Sequence, residues 1–418
     1  MLSALRLIVP TLAFSFVTVT NIALASPTTE ERLVAKYNSA MFQISTSLKG
    51  ASGITSYGTG FLIKNNLLVT NYHVIDDYFL AQEDYDIIVT RGTDKSIYPV
   101  SLHTVDMFND LAIFTVEANT DDITPFTLGE SHVQQGATIY SMGNPNSSGF
   151  MIVPGVYNGV REASKRELLN FTGSLNSGMS GGPVIDSNEI LVGVNVSSSG
   201  NGMGYAVNAK HLRTLVEHVN SNPPNTDSLS VALEQLHAWS TLITDMLKGK
   251  FSAQSNALEV NSPFVKCNND KVEDGSVSIN IKHCYTLEDL GLGGKHTLEG
   301  FSVFSYHLKD SDPNLIQRIM GLDPLFLLTQ LSPLVQDDDD SLYSSSSCEF
   351  IVTTLTNDRR AKIRNCAIRS NTSPSYWTHR VTISYAIDSN NVIANDITFQ
   401  GLSPMASSTL LADIIEEL

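Results

Sequence analysis

Cysteine, basic charge and helical periodicity are scarce in the first part of this chain, and each scarcity excludes something. No cysteine precedes Cys267, and the four present (Cys267, Cys284, Cys348 and Cys366) form no C-x-x-C pair. Only His283 neighbours one of them, so the spacing of a zinc or thiol-redox site is missing, and neither metal nor cofactor is expected. Lys and Arg total 26 against 43 Asp and Glu, a formal net charge of −17. That balance argues against a nucleic-acid partner or an anionic membrane surface. The acidic run Asp337 to Asp340 lacks the glycine and terminal glutamate of an EF-hand loop, so it reads as a solvated loop.

What is present begins with an export signal. Arg6 is followed by an apolar run from Leu7 to Val17, and Ala23-Leu24-Ala25 offers an A-x-A cleavage site before Ser26. Pro10 and Asn21 weaken the rival reading of a permanent anchor. Removal of residues 1–25 takes Arg6 and no acidic residue with it. The mature chain is then expected to carry no membrane span and to be periplasmic or secreted. An oxidising compartment makes disulfides the expected state of the cysteines. Three pairings are open, and chain proximity favours Cys267 with Cys284 and Cys348 with Cys366, since each pair brackets a hairpin.

With 418 residues and 42% apolar content, the chain is long enough for two or three domains. Short apolar runs alternate with turn signals from Met41 to Val207, which predicts an all-β barrel or sandwich. Helical spacing first appears from Asn208 to Val216, and the breaker-rich Asn222 to Asp227 reads as a boundary. Ser228 to Leu247 repeats Leu233, Leu236, Trp239, Leu242, Ile243, Met246 and Leu247 at helical spacing, a helix expected to pack on its own domain. Residues 260–418 return to β-like alternation and close on a short helix around Leu410 to Ile415. The expected organisation is a signal peptide over 1–25, a β domain over 26–220, a linker and amphipathic helix over 221–250, and a C-terminal domain over 251–418. That last domain is expected to be α+β or mainly β.

The chemistry centres on Asn176-Ser-Gly-Met-Ser-Gly-Gly-Pro-Val184. Read as G-x-S-x-G it could be the nucleophile elbow of an α/β-hydrolase, which needs a helix directly after the serine. Pro183 and the β-branched residues that follow give strand, turn and strand instead. The other design is a serine nucleophile whose base and carboxylate come from elsewhere. His73, at the end of an apolar strand, suits a base because imidazole titrates near neutrality. Asp110 directly precedes the core-like run Leu111 to Phe114, where it could orient and charge-stabilise the imidazole. Asp106, Asp76 and Asp77 are the alternatives. A tight turn at Gly178, Met179 and Ser180 would aim backbone N–H groups at one point, an oxyanion hole.

These segments resemble the trypsin-like peptidase domain, especially its HtrA/Deg-type branch. The residues that carry the resemblance are Gly58-Thr-Gly-Phe61, Thr70 to Val74, Asn109 to Ile113, Ser177 to Pro183 and Gly202 to Ala206, over about residues 33–218. The resemblance implies a chymotrypsin-like double β-barrel, two six-stranded barrels with His73 and Asp110 on the first and Ser180 on the second. It implies an endopeptidase acting on proteins or peptides. Met179 departs from the Asp or Asn usual before the serine, so either loop packing holds the hole open or the hole is collapsed until something binds. Ser174 at the pocket base, where an aspartate would select Lys or Arg, and a wall of Asn195, Val196 and Ser197 imply small or medium apolar P1 residues. No PDZ domain is recognisable downstream. A catalytically silent, protease-fold binding module is the competing reading; neither indicates an oligomeric state.

Overall fold

The computed structural model describes residues 26–418 apart from residues 52, 65, 94, 118, 146–148, 163, 225–226, 255–256, 294–295, 311–342, 356–357 and 371–376. The export signal over 1–25 and the acidic run at 337–340 lie outside the described residues.

The fold is mainly β. Six strands, β1 (Met41–Leu48), β2 (Ser56–Ile63), β3 (Leu67–Thr70), β4 (Tyr85–Arg91), β5 (Val100–Asp106) and β6 (Leu111–Val116), form a sheet in the order β4-β1-β2-β3-β6-β5. Its interior is packed with Phe42, Phe61, Leu68, Ile113 and Phe114, all fully buried. The resemblance implied a closed barrel here. The two edges of this sheet are tied by a bridge from Thr90 to Ile97, flanked by hydrogen bonds from the Arg91 N–H to the Ser96 carbonyl at 2.9 Å and from the Tyr98 N–H to the Val89 carbonyl at 2.8 Å, so β4 meets the segment that leads into β5. The second six strands form a closed barrel. They are β7 (Thr138–Gly143), β8 (Met151–Val160), β9 (Leu169–Thr172), β10 (Pro183–Asp186), β11 (Leu191–Gly200) and β12 (Met203–Asn208), ordered β10-β11-β12-β9-β8-β7. Residue 196 is bulged out of the β11–β12 ladder, where Asn195 faces Ala206 and Ser197 faces Tyr205. Such bulges re-aim side chains locally.

Helices frame these sheets. α1 (Thr29–Tyr37), unforeseen in the sequence, starts with a capping box between Thr28 and Glu31. Its Tyr37 ring stacks on Phe126 at 4.2 Å. α2 (Asp76–Leu80) is a single turn and more. α3 (Ala209–Ser221) begins at Asn208, whose side chain accepts from the Lys210 N–H. α4 (Ser228–Leu247) begins at Asp227, whose carboxylate accepts from Ser230. Among the described residues no helix is long and apolar enough to cross a membrane.

The C-terminal part is an antiparallel seven-stranded sheet. Its strands are β15 (Val265–Asp274), β16 (Val277–Thr286), β19 (Phe301–Asp310), β20 (Tyr343–Thr354), β21 (Arg360–Ser370), β22 (Trp377–Asp388) and β23 (Asn391–Gln400). The order is β15-β16-β19-β23-β22-β21-β20. Two small hairpins, β13 (Phe251–Gln254) with β14 (Ala257–Val260) and β17 (Leu290–Gly293) with β18 (His296–Leu298), stand as separate two-stranded sheets, and α5 (Pro404–Glu417) follows β23. The disulfides are Cys267–Cys284 and Cys348–Cys366, each joining residues directly opposite on adjacent strands.

α4 does more than cover its own sheet. Its buried residues include Leu236, Trp239, Ile243 and Leu247, which share one core with Phe301, Val303, Ile397 and Phe399. Trp239 also meets Phe108 of the first sheet, with ring centroids 5.8 Å apart, while its indole N–H donates to the Gln400 carbonyl at 3.3 Å. The Gln235 side chain accepts from the Met107 N–H at 3.2 Å. The helix is therefore shared between the two halves. Trp239→Ala is expected to lower unfolding free energy by about 3–5 kcal/mol, the range for deleting a large buried aromatic, read as a lower denaturant midpoint.

Candidate active site

β3 ends at Thr70, and the chain then turns sharply through Tyr72–Val74. Asn71, fully buried, donates its side-chain amide to the Asp110 carbonyl at 2.8 Å. That bond fixes the turn before β6, where Asp110 adopts a left-handed backbone at φ 56°. The conformation aims the carboxylate back at the β3 turn. One oxygen accepts the His73 backbone N–H at 2.9 Å and the other meets His73 Nδ1 at 2.7 Å. With Nδ1 holding the shared proton, Nε2 of the neutral ring is left as the acceptor. Two of the alternatives are otherwise engaged. Asp106 accepts from the backbone and side chain of Asn109, and Asp76 accepts from the Asp77 N–H. The Asp110 side chain is 11% exposed, whereas the His73 side chain keeps 43%.

These surroundings pull the His73 pKa in opposite directions. Burial of the ring face opposes its charge, and the Asp110 charge and hydrogen bond favour it. Asp76 adds to the favourable side and the Arg166 cation subtracts. The balance raises the pKa above the ordinary histidine value near 6.5.

Ser180 lies on the loop between β9 and β10. Gly178 takes φ 93° and Gly181 φ 83°, and a β-carbon on Gly181 would meet the Thr59 carbonyl at 2.2 Å. The N–H groups of Gly178 and Ser180 have no partner among the described residues, as donors reserved for an oxyanion would. Met179 does not join them: its N–H donates to the Asn176 carbonyl at 3.0 Å. Its side chain, 1% exposed, packs among Ile139, Phe171, Val184 and Val192. The Ser180 hydroxyl donates to the Val196 carbonyl at 3.2 Å, and among the described residues no hydrogen bond joins it to His73.

A cavity of about 180 Å³ opens beside Ser180, lined by Leu175, Asn176, Ser177, Ser197 and Ser198. Two residues expected in the pocket are not there. Asn195 is fully buried, its amide group bonded to the Met142 carbonyl and the Ser141 hydroxyl, so it ties β11 to β7 instead. Ser174 is exposed and outside the lining. Of the expected wall, Ser197 lines the cavity and Val196 contributes the carbonyl that holds Ser180. A larger cleft, about 350 Å³, lies behind the Asp106 to Asn109 turn against α3 and α4 and includes none of His73, Asp110 and Ser180.

The acid turn has neighbours that sequence reasoning missed. The Arg166 guanidinium lies 5.3 Å from the Phe108 ring centroid, 3.0 Å from Asp289 and 3.9 Å from buried Glu288. The turn therefore sits between α4, the loop before β9 and the loop after β16. No local sequence pattern marks this, because the partners come from three separate segments.

Residues 58–194 match the trypsin-like peptidase domain family. Among curated relatives, the chloroplastic Protease Do-like 5 of Arabidopsis thaliana is 32% identical over 172 residues, covering 37% of this chain and 53% of the relative. The "Probable periplasmic serine endoprotease DegP-like" protein of Bartonella henselae is 25% identical over 241 residues, covering 52% of this chain and 46% of the relative. The chain thus spans about half the length of these curated relatives. A solved serine endoprotease from Yersinia pestis is 22% identical with a TM-score of 0.40, covering 47% of this chain and 68% of that one. Over residues 58–194 the chain is thus similar to trypsin-like peptidase domains, and the curated relatives it matches are Do-like and DegP-like proteases.

An imidazole titration followed by NMR, with His73→Ala to assign the signal, is expected to place the His73 midpoint above 6.5. In Asp110→Asn the favourable charge is gone and burial remains, so the midpoint should move to lower pH. An unmoved midpoint would mean that Asp110 does not govern the ring.

Proposed function

We propose that this trypsin-like domain is a serine endopeptidase whose nucleophile is Ser180, base His73 and orienting carboxylate Asp110. The observation that carries the reading is the Asp110–His73 pair at 2.7 Å, beside a serine loop that leaves two N–H groups unengaged and packs Gly181 against Thr70 and Asn71, just before His73. In the reaction, Ser180 Oγ attacks the scissile carbonyl while His73 Nε2 takes the hydroxyl proton. The N–H groups of Gly178 and Ser180 receive the developing oxyanion. His73 then hands the proton to the leaving amine, and a water repeats the sequence to release the acyl group. Asp110 holds the imidazolium throughout without taking its proton.

The bond from Ser180 to Val196 favours a second reading, a resting form in which the serine must rotate away from that carbonyl before attack. A permanently silent binding module would keep the same fold and never make that rotation. The substrates are proteins or peptides. The lining beside Ser180 bears hydroxyls, one amide and Leu175 but no fixed charge, so small uncharged P1 residues fit best. Export, to a periplasmic or extracellular location, is supported by the leader-like first 25 residues, the two disulfides and the periplasmic naming of one relative.

A fluorophosphonate probe applied to the purified chain is expected to label Ser180 and to fail with Ser180→Ala and His73→Ala. Absence of labelling in folded protein would contradict an assembled site and leave the resting form or the silent module. Ser180→Ala should reduce kcat by on the order of 10⁴-fold or more. Because His73 must be neutral to accept a proton, kcat/KM should rise with pH through a midpoint above 6.5. A cleavage profile dominated by Arg, Lys or Glu at P1 would contradict the uncharged pocket.

A further inference from the structure

The two open N–H groups of the serine loop have a cause outside the loop. In the loop, alternate peptide units are held at both ends. The unit joining Gly178 to Met179 has its N–H on the Asn176 carbonyl at 3.0 Å and its carbonyl on the Thr59 hydroxyl at 2.7 Å. The unit joining Ser180 to Gly181 has its N–H on the Asn195 carbonyl at 2.9 Å and its carbonyl on the Thr59 N–H at 2.8 Å. Between and before these lie the units that carry the free N–H groups of Ser180 and Gly178. One residue, Thr59 on β2, therefore holds the carbonyl end of both fixed units.

Thr59 is fully buried and every polar group on it is used. Its hydroxyl accepts from the Asn144 N–H at 2.9 Å, just after β7. A carbonyl cannot donate, so the hydroxyl proton must lie toward Gly178, and the direction of that bond is unambiguous. Its carbonyl accepts from the Thr70 hydroxyl at 2.8 Å, at the end of β3 just before the His73 turn. The side chain thus joins the first sheet, the end of β7 and the serine loop at one buried point. Met179, which has no polar group to anchor the loop, is seated in apolar surroundings directly between the two fixed units.

We propose that Thr59 is a positioning residue that aims the Gly178 and Ser180 N–H groups at the oxyanion, replacing the polar anchor that position 179 lacks. The inference rests on the reading of Ser180 as the nucleophile. Thr59 never touches substrate; it acts through the loop's peptide planes.

The test compares the full-length wild type with Thr59→Val, which keeps the shape and removes the hydroxyl, and with Thr59→Ser, which keeps the hydroxyl. Thr59→Val is expected to lower kcat about 10- to 100-fold with KM within about twofold, as misaimed oxyanion donors would. Affinity for a peptide aldehyde, whose adduct places an oxyanion in the hole, should fall in parallel with kcat/KM. The acid limb of the pH profile should stay in place, because the His73–Asp110 pair is not altered. Thr59→Ser should restore kcat to within about threefold, since the donated hydrogen bond returns. A folded Thr59→Val with unchanged kcat and aldehyde affinity would overturn the proposal, as would a loss confined to KM or a displaced acid limb. If Thr59→Val does not fold, Thr59→Cys supplies the weaker donor, and full aldehyde affinity there counts against the proposal. A wild type that labels and hydrolyses normally separates these outcomes from failure of the enzyme reading; an inert wild type overturns both.

Discussion

A buried carboxylate in a left-handed backbone is the constraint around which the first half of the molecule is arranged. Asp110 at φ 56° costs free energy that a right-handed residue would not, on the order of 1 kcal/mol or more. Its ionised side chain is also largely out of water. Both are tolerated because His73 supplies two donors, Asn71 fixes the carbonyl, and Asp106 caps the preceding residue. Remove the left-handed turn and the carboxylate points away from β3. Remove the donors and an unpaired charge is left buried. The geometry of the cleft on the first-sheet side follows from this one residue.

The serine loop obeys a different logic. Hydrogen bonds to its carbonyls and N–H groups leave two donors open, and an apolar methionine fills the space beneath them. The polar constraint comes from another strand, so the loop's shape depends on how the first sheet meets the closed barrel. This ties the two β units together more tightly than a shared cleft would require, because Thr59 bonds the loop directly.

Much of this was legible because it is local. His73 after an apolar strand, Asp110 before one, and the Gly-rich turn at Ser180 each carry their context in a few neighbouring residues. The hairpin pairings of Cys267 with Cys284 and of Cys348 with Cys366 were legible for the same reason. Asn195 was misplaced because the bulge at residue 196 shifts which side chains of β11 face outward, and no periodicity announces a bulge. The first sheet closes through only a short tie between β4 and the residues before β5, a long-range pairing that strand propensity does not decide. α1 is too short for periodicity to register, although Thr28 and Glu31 spell its cap. The role of Thr59 is hidden in the ordinary-looking Gly58-Thr-Gly-Phe61, since its partners at Asn144 and Gly178 are distant in the chain.

The seat of Phe108 has a consequence for the order in which the molecule can be completed. The ring is enclosed by Arg166 and Trp239, and Trp239 is itself held by the Gln400 carbonyl at the end of β23. A chain emerging from its N-terminus presents His73, Asp110 and Ser180 long before Trp239, and Gln400 follows 161 residues after that. The acid turn is thus left with one flank bare while the C-terminal sheet is being made. It acquires its final surroundings only when β23 has paired, so the first sheet waits on a strand far beyond it.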